Sequence, residues 1–488
     1  MKFLFLLAFS LSLCLLSSCT RKVENAQLVD KLPGIYPDYT DVTIPVGIAP
    51  MDFNFADEGI ECMDVVARGS KGGELHVQGD YADFGVDEWH ELTMQNEGGD
   101  IVFTVCVLKD GKWMKYKDFK MHVSKYRLDD YGLTYRRIAP GYEVGGNIGI
   151  YQRDIHSFDE EAIIHVSAVP GQCMNCHTAN RGSASQFLIH LRGGKGGTIL
   201  RRYGKQMMLC TKTDSTKANC GYSYWHPSGN YIASSINSIH QLFYTGNERR
   251  IEVFDTMSDV LVIDARTNEL ILDDRLQTDD YESYPVFSHD GKTLYYCTAK
   301  YCVLPAEYEK AKYSLCKIGF DEKTGCYGAV IDTLINAEEK NASITFPRPS
   351  YDGRWLMYNV SDFGNFPVNH KEADLWLMNL ATGESRALAE VNSDDVESFH
   401  NWSTDSHWFV FSSRRGDGMY TRVYISCIDE NGKATKPFLL PQRNPKKFYD
   451  EMFDSYNCPD FTKEKVEIDT HQTSHDVMEG ERINVRVR

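Results

Sequence analysis

The chain has 488 residues, with 52 basic against 69 acidic side chains and a formal net charge of −17 at pH 7. This acidic balance argues against a nucleic-acid-binding protein, which needs a basic surface to release counterions from phosphate. The composition is 42% hydrophobic, enough for a large core, yet no apolar run after residue 18 is long enough to span a bilayer, which argues against a membrane-spanning transporter.

The first twenty residues have the layout of an export signal. Phe3 to Leu16 is almost wholly apolar, and Leu16-Ser17-Ser18-Cys19 ends this stretch with small residues before a cysteine. The ending resembles a bacterial lipobox, which implies removal of residues 1–18 and a diacylglycerol on the sulfur of Cys19. An ordinary signal peptide with a chance cysteine is the alternative. We therefore expect a lipid-anchored protein of the cell envelope, with residues 19–42 as a polar tether. The basic Thr20-Arg21-Lys22 favours the outer membrane, facing the periplasm.

Residues 43–125 carry short runs of alternating apolar and polar residues separated by turns. Ile101 to Leu108 is an apolar strand, and Lys109-Asp110-Gly111-Lys112 has the composition of a hairpin turn. The aromatic content of 12% also favours β structure. These features predict a small β-sandwich-like domain.

The 14 cysteines fit an oxidising compartment. Cys297 with Cys302, and Cys316 with Cys326, are close enough in sequence to cross-link neighbouring strands. Buried free thiols are the alternative, because sequence alone does not give disulfide connectivity.

Four segments share a strand-turn-strand pattern, with the turn at residues 229, 291, 353 and 406. The segments are Trp225–Ile232, Phe287–Leu294, Pro349–Leu356 and Trp402–Phe409. Glycine occupies the turn position in the first three, and Ser406 occupies it in the fourth. A four-stranded unit repeated at this spacing is typical of a β-propeller. We expect an all-β protein with propeller repeats over 216–440, further blades from 126–215, and ring closure by 441–488, giving six or seven blades.

The sequence favours a protein that is not an enzyme. Propeller-bearing serine peptidases carry a catalytic domain with a G-x-S-x-G motif, which does not occur in this chain. Four histidines fall in or beside the repeat turns, and we interpret them as turn or channel-facing residues rather than as a metal cluster: His226, His289, His400 and His407.

One motif has the residues of a cofactor-binding site. Cys173-Met174-Asn175-Cys176-His177 contains C-x-x-C-H, the spacing of a c-type haem attachment site. Two thiols separated by two residues reach the two vinyl groups of one haem, and the following imidazole ligates the iron. A structural disulfide, a zinc site completed by Cys210 and Cys220, and a thioredoxin-like redox pair are the alternatives.

The repeats look like the TolB-type propeller repeat, and further segments resemble a family of bacterial TolB-like propeller lipoproteins that carry C-x-x-C-H. The segments that carry this resemblance are Ala139–Glu143, Cys173–His177, His190–Gly193, Pro441–Pro445 and Tyr456–Pro459. Members are often labelled cytochrome-like, a label that rests on the motif itself. The resemblance implies an exported propeller lipoprotein with one haem c.

Two functions therefore remain open. In the first, the haem passes or senses electrons in the periplasm, with His177 as the iron ligand and His190 as the distal candidate, followed by Met207 and Met208. Four nearby arginines then pair with the haem propionates: Arg181, Arg192, Arg201 and Arg202. In the second, the propeller is a non-enzymatic scaffold that binds a protein or glycan, and Cys173 and Cys176 are structural. Both place the protein at the membrane through its lipid anchor and give it a protein partner.

Overall fold

The computed structural model describes residues 22–139, 147–244 and 251–488. The export signal, the lipidation candidate Cys19 and most of the Ala139–Glu143 segment lie outside the described residues. No helix in the described ranges is both long and apolar enough to cross a membrane.

The N-terminal part is one main sheet with a helix, where the sequence predicts a sandwich. Its strands are β1 (Gln27–Leu28), β2 (Ile35–Tyr36), β3 (Thr43–Ile44), β4 (Asn54–Phe55), β5 (Cys62–Gly69), β6 (Glu74–Gly79), β7 (Asp100–Lys109), β8 (Lys112–Lys115) and β9 (Phe119–Val123), with helix α1 (Val86–Gln95) between β6 and β7. Seven strands form the main sheet, in the order β1-β8-β7-β5-β6 with β9 pairing both β7 and β3, and β2 pairs β4 separately.

Helix α1 takes the place of the second sheet of a sandwich. Trp89 and Leu92 of α1 are buried, and the Trp89 ring lies 6.4 Å from that of Phe103 in β7. Asp87 and Glu88 in the first turn of α1 suit the positive end of the helix dipole. A ten-residue helix between strands gives too short a periodic pattern to be recognised from sequence.

The rest of the chain is almost entirely strands. They are β10 (Gly132–Ile138), β11 (Ile148–Asp154), β12 (Glu160–His165), β13 (Gln172–Asn180), β14 (Ser183–Gly193), β15 (Gly197–Arg202), β16 (Lys205–Cys210), β17 (Cys220–Trp225), β18 (Tyr231–Phe243), β19 (Ile251–Asp264), β20 (Glu269–Ile271), β21 (Tyr281–Phe287), β22 (Thr293–Ala299), β23 (Ser314–Asp321), β24 (Cys326–Ile335), β25 (Ser343–Pro349), β26 (Trp355–Ser361), β27 (Asp374–Asn379), β28 (Ser385–Ala387), β29 (Glu397–Trp402), β30 (Trp408–Ser413), β31 (Arg422–Cys427), β32 (Phe438–Leu439), β33 (Ser455–Thr462), β34 (Arg482–Asn484) and β35 (Arg486–Val487). Three short helices interrupt them: α2 (Ala337–Lys340), α3 (Pro445–Glu451) and α4 (Thr470–Met478).

These strands form a propeller-like arrangement of antiparallel sheets, as the repeats predict. Four sheets are separate blades of four or five strands: β12-β11-β10-β33, β13-β14-β15-β16-β34, β25-β26-β27-β28 and β29-β30-β31-β32. The number of separate blades among the described residues is therefore four, not the predicted six or seven.

The remaining strands form one nine-stranded sheet that joins two of the sequence repeats. The two halves, β17-β18-β19 and β21-β22-β23-β24, meet through a single residue pair, Ser258 with Tyr281. Ser258 lies at the register shift of β19, where its first paired stretch with β18 ends. Strands β18 and β19 have 13 and 14 residues, against 7 and 8 in β22 and β23, and their extra length forms the hairpin beyond that shift.

The C-terminal segment closes the array. Strand β33 pairs antiparallel with β10, so residues near position 460 complete a sheet begun near position 135. This pairing covers the edge of β10, and an uncovered strand edge is a hazard for aggregation.

The repeat turns pack one blade on the next. Glycine at the turn position has φ between 70° and 75° in Gly229, Gly291 and Gly353, a backbone region that favours glycine. The buried His226 of one turn lies over Gly291 of the next, and its Nε2 is 3.1 Å from the Gly291 carbonyl oxygen. Ser406, with φ of 66°, replaces the glycine in the fourth repeat, and its Oγ accepts a hydrogen bond from the Asp352 amide at 3.1 Å.

The 12 cysteines of the described residues all have free thiols. The predicted cross-links between Cys297 and Cys302, and between Cys316 and Cys326, are absent from the described part of the chain, and the alternative of free thiols holds there. Burial raises the pKa of Cys297 well above its ordinary value.

Candidate functional site: a cavity at the strand bulges

Six strands follow one another around a central space. Each of β13, β17, β21, β25, β29 and β33 contacts the next, and β33 contacts β13. All six carry a register shift against the neighbouring strand of their own sheet. In five of them a residue with φ between 46° and 54° lies in the bulge: Tyr222, Tyr284, Phe346, Phe399 and Cys458. Bulges re-aim side chains, and here they direct them toward the common space.

A cavity lies where β13, β17, β25, β29 and β33 meet. It offers about 50 Å³ to the centres of water-sized molecules. Its wall is part apolar, with Phe346, Phe366 and Phe399, and part polar, with the arginines, histidines and carboxylate described next. A single water needs about 10–15 Å³ by this measure, so the cavity has room for a small molecule of a few atoms.

Two arginines face this cavity without a carboxylate partner. Arg136 and Arg348 line it, and neither guanidinium forms an ion pair within 4.0 Å among the described residues. Arg136 donates from Nη1 to the Asn175 side-chain oxygen at 3.0 Å, and its buried Nε has no hydrogen-bond partner. The Arg348 guanidinium lies 5.2 Å from the centre of the Tyr224 ring.

His400 is a buried polar side chain in the wall of the cavity. It is 2% exposed, and the backbone of Phe346 and of Met357 lies within hydrogen-bonding reach of its ring. Burial, assisted by the charge of Arg348, lowers the pKa of His400 to about 3 against the effect of these backbone groups, so its imidazole is neutral at pH 7. A neutral imidazole has one donor and one acceptor.

Asp460 is the one carboxylate of the described residues in the wall of the cavity, and its hydrogen bonds come from neutral groups while the charge of Arg348 lies nearby. Its Oδ1 accepts from the Asn401 side chain at 2.7 Å, and its Oδ2 accepts from the Ala179 amide at 3.3 Å. Burial raises the pKa of Asp460 to about 7. Asp460 therefore compensates the two arginines only in part at neutral pH.

The C-x-x-C-H motif lies on β13 and bends at the bulge of that strand. Cys173 is exposed and pairs with Arg192 of β14, whereas Cys176 lines the central cavity. His177 is 6% exposed, its Nε2 is 3.1 Å from the Thr134 hydroxyl, and its ring lies 6.0 Å from that of Phe187. Burial lowers the pKa of His177 to about 4.

These three side chains, as folded, do not fit a covalently attached haem. A haem requires both thiols at one edge of a wide slot and the imidazole facing into that slot. Here one thiol faces solvent, while the other thiol and the buried imidazole line a cavity of only about 50 Å³. No group of three or more His, Cys, Asp or Glu side chains within the described ranges is arranged to hold a metal ion.

The distal-ligand candidates are scattered. His190 is buried on β14 beside the bulge of β13, with its Nδ1 3.3 Å from the Thr198 hydroxyl. Burial lowers the pKa of His190 to about 3. Met207 and Met208 are on β16, three strands from β13 in the same sheet, or about 14 Å across it. The structure therefore does not bring the two methionines to His177.

The four arginines predicted to pair with haem propionates, and the four histidines of the repeat turns, do not meet at one site. Arg181 donates to the carbonyls of His289 and Tyr351, and Arg202 donates to that of Ala265, so they do not converge on one anion. Arg192 and Arg201 lie on β14 and β15. His407 stacks on Tyr126 with ring centres 3.9 Å apart, and only His400 of the four repeat histidines faces the cavity.

Sequence reasoning missed Arg136, Arg348, Asn401, Cys458 and Asp460 as cavity residues. A signal for part of the cavity is present in the repeats. Each of the four has an aromatic residue shortly before its turn: Tyr222, Tyr284, Phe346 and Phe399. These aromatic residues are the ones with positive φ in the bulges, so the same pattern marks where the strands bend toward the centre.

The comparisons with known proteins give a fold-level similarity. No family model and no curated protein matches the chain. The β-propeller domain of the Trilobed protease from Pyrococcus furiosus is similar at 12% identity and a TM-score of 0.32, covering 71% of this chain and 95% of that one. The β-propeller domain of Cps50 (Swd1) from Myceliophteria thermophila is similar at 9% identity and a TM-score of 0.34, covering 70% and 92%.

A puromycin-hydrolyzing peptidase from Mycobacterium tuberculosis is similar at 12% identity and a TM-score of 0.33, covering 83% of this chain and 57% of that one. The chain thus spans little more than half the length of this peptidase. Identities and TM-scores at this level do not bear on activity.

Proposed function

We propose that this protein is a ligand-binding β-propeller scaffold without catalytic activity, and that its ligand occupies the cavity at the strand bulges. The observation that carries the proposal is the wall of this cavity, where Arg136, Arg348 and the buried His400 converge beside three phenylalanines. A concave, largely apolar site with a few convergent polar groups is the usual composition of a small-molecule site.

The Cys458 thiol in the wall of the cavity supports binding over covalent catalysis. A nucleophilic cysteine acts as the thiolate. Burial raises the pKa of Cys458 to about 12, which keeps that side chain protonated at neutral pH.

A screen with a matched pair of variants tests this function. Cys176→Leu fills the cavity, whereas Cys326→Leu introduces the same side chain at an exposed position on β24. We expect at least one compound, from a panel of small anions, cations and neutral molecules, to raise the melting temperature of the wild type and of Cys326→Leu but not that of Cys176→Leu. No stabilising compound, or equal stabilisation of both variants, overturns the proposal.

The ring itself belongs to the proposal. The six bulged strands that follow one another around the central space support a TolB-like ring, in which Ser258 and Tyr281 join two repeats into the nine-stranded sheet. The turns of the repeats are 62, 62 and 53 residues apart, and a difference in loop length accounts for the shorter spacing within such a ring.

A covalent c-type haem, with electron transfer or redox sensing, is the second candidate, and the C-x-x-C-H spacing is what favours it. Intact mass spectrometry of protein made in a host with haem-attachment machinery decides it. Under the scaffold proposal the mass lacks a haem adduct and Cys173, which is exposed, reacts with a thiol reagent in the folded protein. A haem adduct lost in Cys173→Ser supports the cytochrome function instead.

The location in the cell is also a proposal. The lipobox-like ending supports an anchor on Cys19, in the outer membrane and facing the periplasm, where the propeller meets a protein partner. Cys19→Ala should release the protein from the membrane fraction or leave an uncleaved precursor. Fractionation identical to the wild type contradicts the anchor.

A further inference from the structure

The charge of the cavity wall is opposite to that of the protein. The chain carries a net charge of −17, yet two guanidinium groups line this one small cavity and neither forms an ion pair among the described residues. Buried charges in proteins are normally paired, because an isolated charge is expensive to remove from water. Arg136 is buried and Arg348 is half-buried, so a bound anion would offset the cost of removing these charges from water.

Asp460, the carboxylate in the wall, fills this role only in part. It takes its hydrogen bonds from Asn401 and the Ala179 amide, at 2.7 Å and 3.3 Å. Burial raises the pKa of Asp460 to about 7, although the nearby charge of Arg348 opposes this shift. The net charge of the wall stays positive, since the two arginines outweigh this partial charge and the histidines in the wall are neutral.

The donors suit a planar, two-oxygen anion. A guanidinium pairs with a carboxylate through parallel hydrogen bonds, which gives geometric selectivity as well as strength. A neutral imidazole such as His400 can donate to one of the same oxygens. The two arginines and His400 come from three different strands, β10, β25 and β29, so they surround the space rather than share one side of it.

The apolar part of the wall and the volume of the cavity indicate the apolar part and the size of the ligand. Phe346, Phe366 and Phe399 line the same cavity, which favours an apolar group next to the charge over a fully hydrated inorganic ion. A volume of about 50 Å³ is about four times what one water needs, which matches a molecule of about five non-hydrogen atoms.

We infer that the cavity binds a small organic carboxylate, held by Arg136, Arg348 and His400 with its short apolar part against the phenylalanines. This inference rests on the proposed function and names the ligand class for the same site. The carboxylate is either a free short-chain acid or the end of a glutamate side chain in a peptide, and the two sources share the same recognition chemistry.

Calorimetric titration of the purified protein tests the inference with defined probes. Sodium propionate represents the free acid, and the N-acetylated amide of glutamate represents the peptide side chain. Propylammonium chloride has a similar apolar tail with the opposite charge, and inorganic phosphate is an anion without a tail. We expect saturable binding of propionate or of the glutamate derivative, and of neither propylammonium nor phosphate.

Variants connect the binding to the residues. Arg348→Met keeps much of the length of the side chain and removes the charge, and we expect it to weaken carboxylate binding about 10-fold or more, the usual effect of losing one charge-assisted hydrogen bond. Arg348→Lys should retain part of the affinity, because the charge is kept and the two-pronged geometry is lost. The matched control is Arg354→Met, since Arg354 lies on the repeat turn and pairs with Asp352. His400→Leu provides a second, uncharged change in case Arg348→Met unfolds.

The outcomes separate the two proposals. Binding of propylammonium or phosphate without carboxylate overturns the ligand class and leaves the binding scaffold intact. Carboxylate binding that survives Arg348→Met and His400→Leu unchanged overturns the assignment of the site. Absence of binding by every probe, together with no stabilising compound in the wider screen, overturns both.

Discussion

Gly291→Ala tests how the propeller repeats are joined, because its Cβ would point at the neighbouring repeat. Gly291 has φ of 72°, and a Cβ added there would lie 2.5 Å from Cε1 of His226 and closer still to Nε2. His226 is 1% exposed, is held by the Gly291 carbonyl at 3.1 Å, and packs on Phe287 with ring centres 4.8 Å apart. The imidazole therefore has to leave its place.

The expected cost has two parts. A non-glycine residue in the left-handed region costs about 1–2 kcal/mol. Displacing His226 adds a lost hydrogen bond of about 0.5–1.5 kcal/mol and lost aromatic packing of about 0.5–1.5 kcal/mol. The sum is about 2–5 kcal/mol, a large part of the stability of an ordinary domain.

Gly383→Ala is the matched control. Gly383 has φ of 76°, and nothing lies within 4 Å of the position that its Cβ would take, so only the backbone cost of about 1–2 kcal/mol applies. Urea unfolding of both variants, followed by tryptophan fluorescence, gives the difference. Adding Gly291→Ala to His226→Ala should cost no more than the control does. Equal destabilisation by Gly291→Ala and Gly383→Ala in the wild-type background would refute the role of His226 at this junction.

Three further predictions concern pH and ring closure. Burial opposes the charge of His370, but hydrogen bonds to Glu252 and Glu372 raise its pKa to about 9, so its stabilising effect is full below pH 6.5 and is lost as the pH rises through about 9. The difference in free energy of unfolding between the wild type and His370→Gln, measured with urea, should shrink over that range. A constant difference contradicts the prediction. Burial raises the pKa of Asp52 to about 8, so the free energy of unfolding falls as the pH rises from about 4, where the unfolded chain ionises, to about 8. Asp52→Asn should flatten the decline in melting temperature over that window, and an unchanged slope argues against this role of Asp52. Removing residues 455–488 exposes the edge of β10, and we expect loss of a cooperative thermal transition, whereas a sharp transition in the truncated protein would show that β33 is dispensable.

The repeat turns could be predicted from the sequence, whereas the lengths of the strands between them could not. Turn chemistry is local, so Gly229, Gly291 and Gly353 could be placed at hairpin turns from the residues themselves, and their spacing indicated the propeller class. The extra length of β18 and β19 was not readable, because a strand ends where its partner ends and the partner is set by pairing. The pairing of Ser258 with Tyr281, which merges two repeats into one sheet, is a contact between different repeats that no local pattern predicts.

Helix α1 and the pairing state of the cysteines could not be predicted from the sequence, because both depend on non-local contacts. A short helix depends on its contact with the sheet below it, here Trp89 against Phe103, and such a contact is non-local. Cys297 is close in sequence to its predicted partner Cys302, and Cys316 is close to Cys326. Whether two such thiols meet depends on the direction of their side chains, which alternates along each strand.

The sequence by itself determined the all-β class, the phase of the repeats and the residues that carry reactive side chains. Only the tertiary structure decided what those side chains face. Cys173 and Cys176 are three residues apart, yet one is at the surface and the other lines the central cavity. Arg136, Arg348 and His400 are separated by up to 264 positions, and no local pattern links them. They meet because closure of the ring by β33 brings the first and last strands together, a consequence of long-range pairing that only the folded chain expresses.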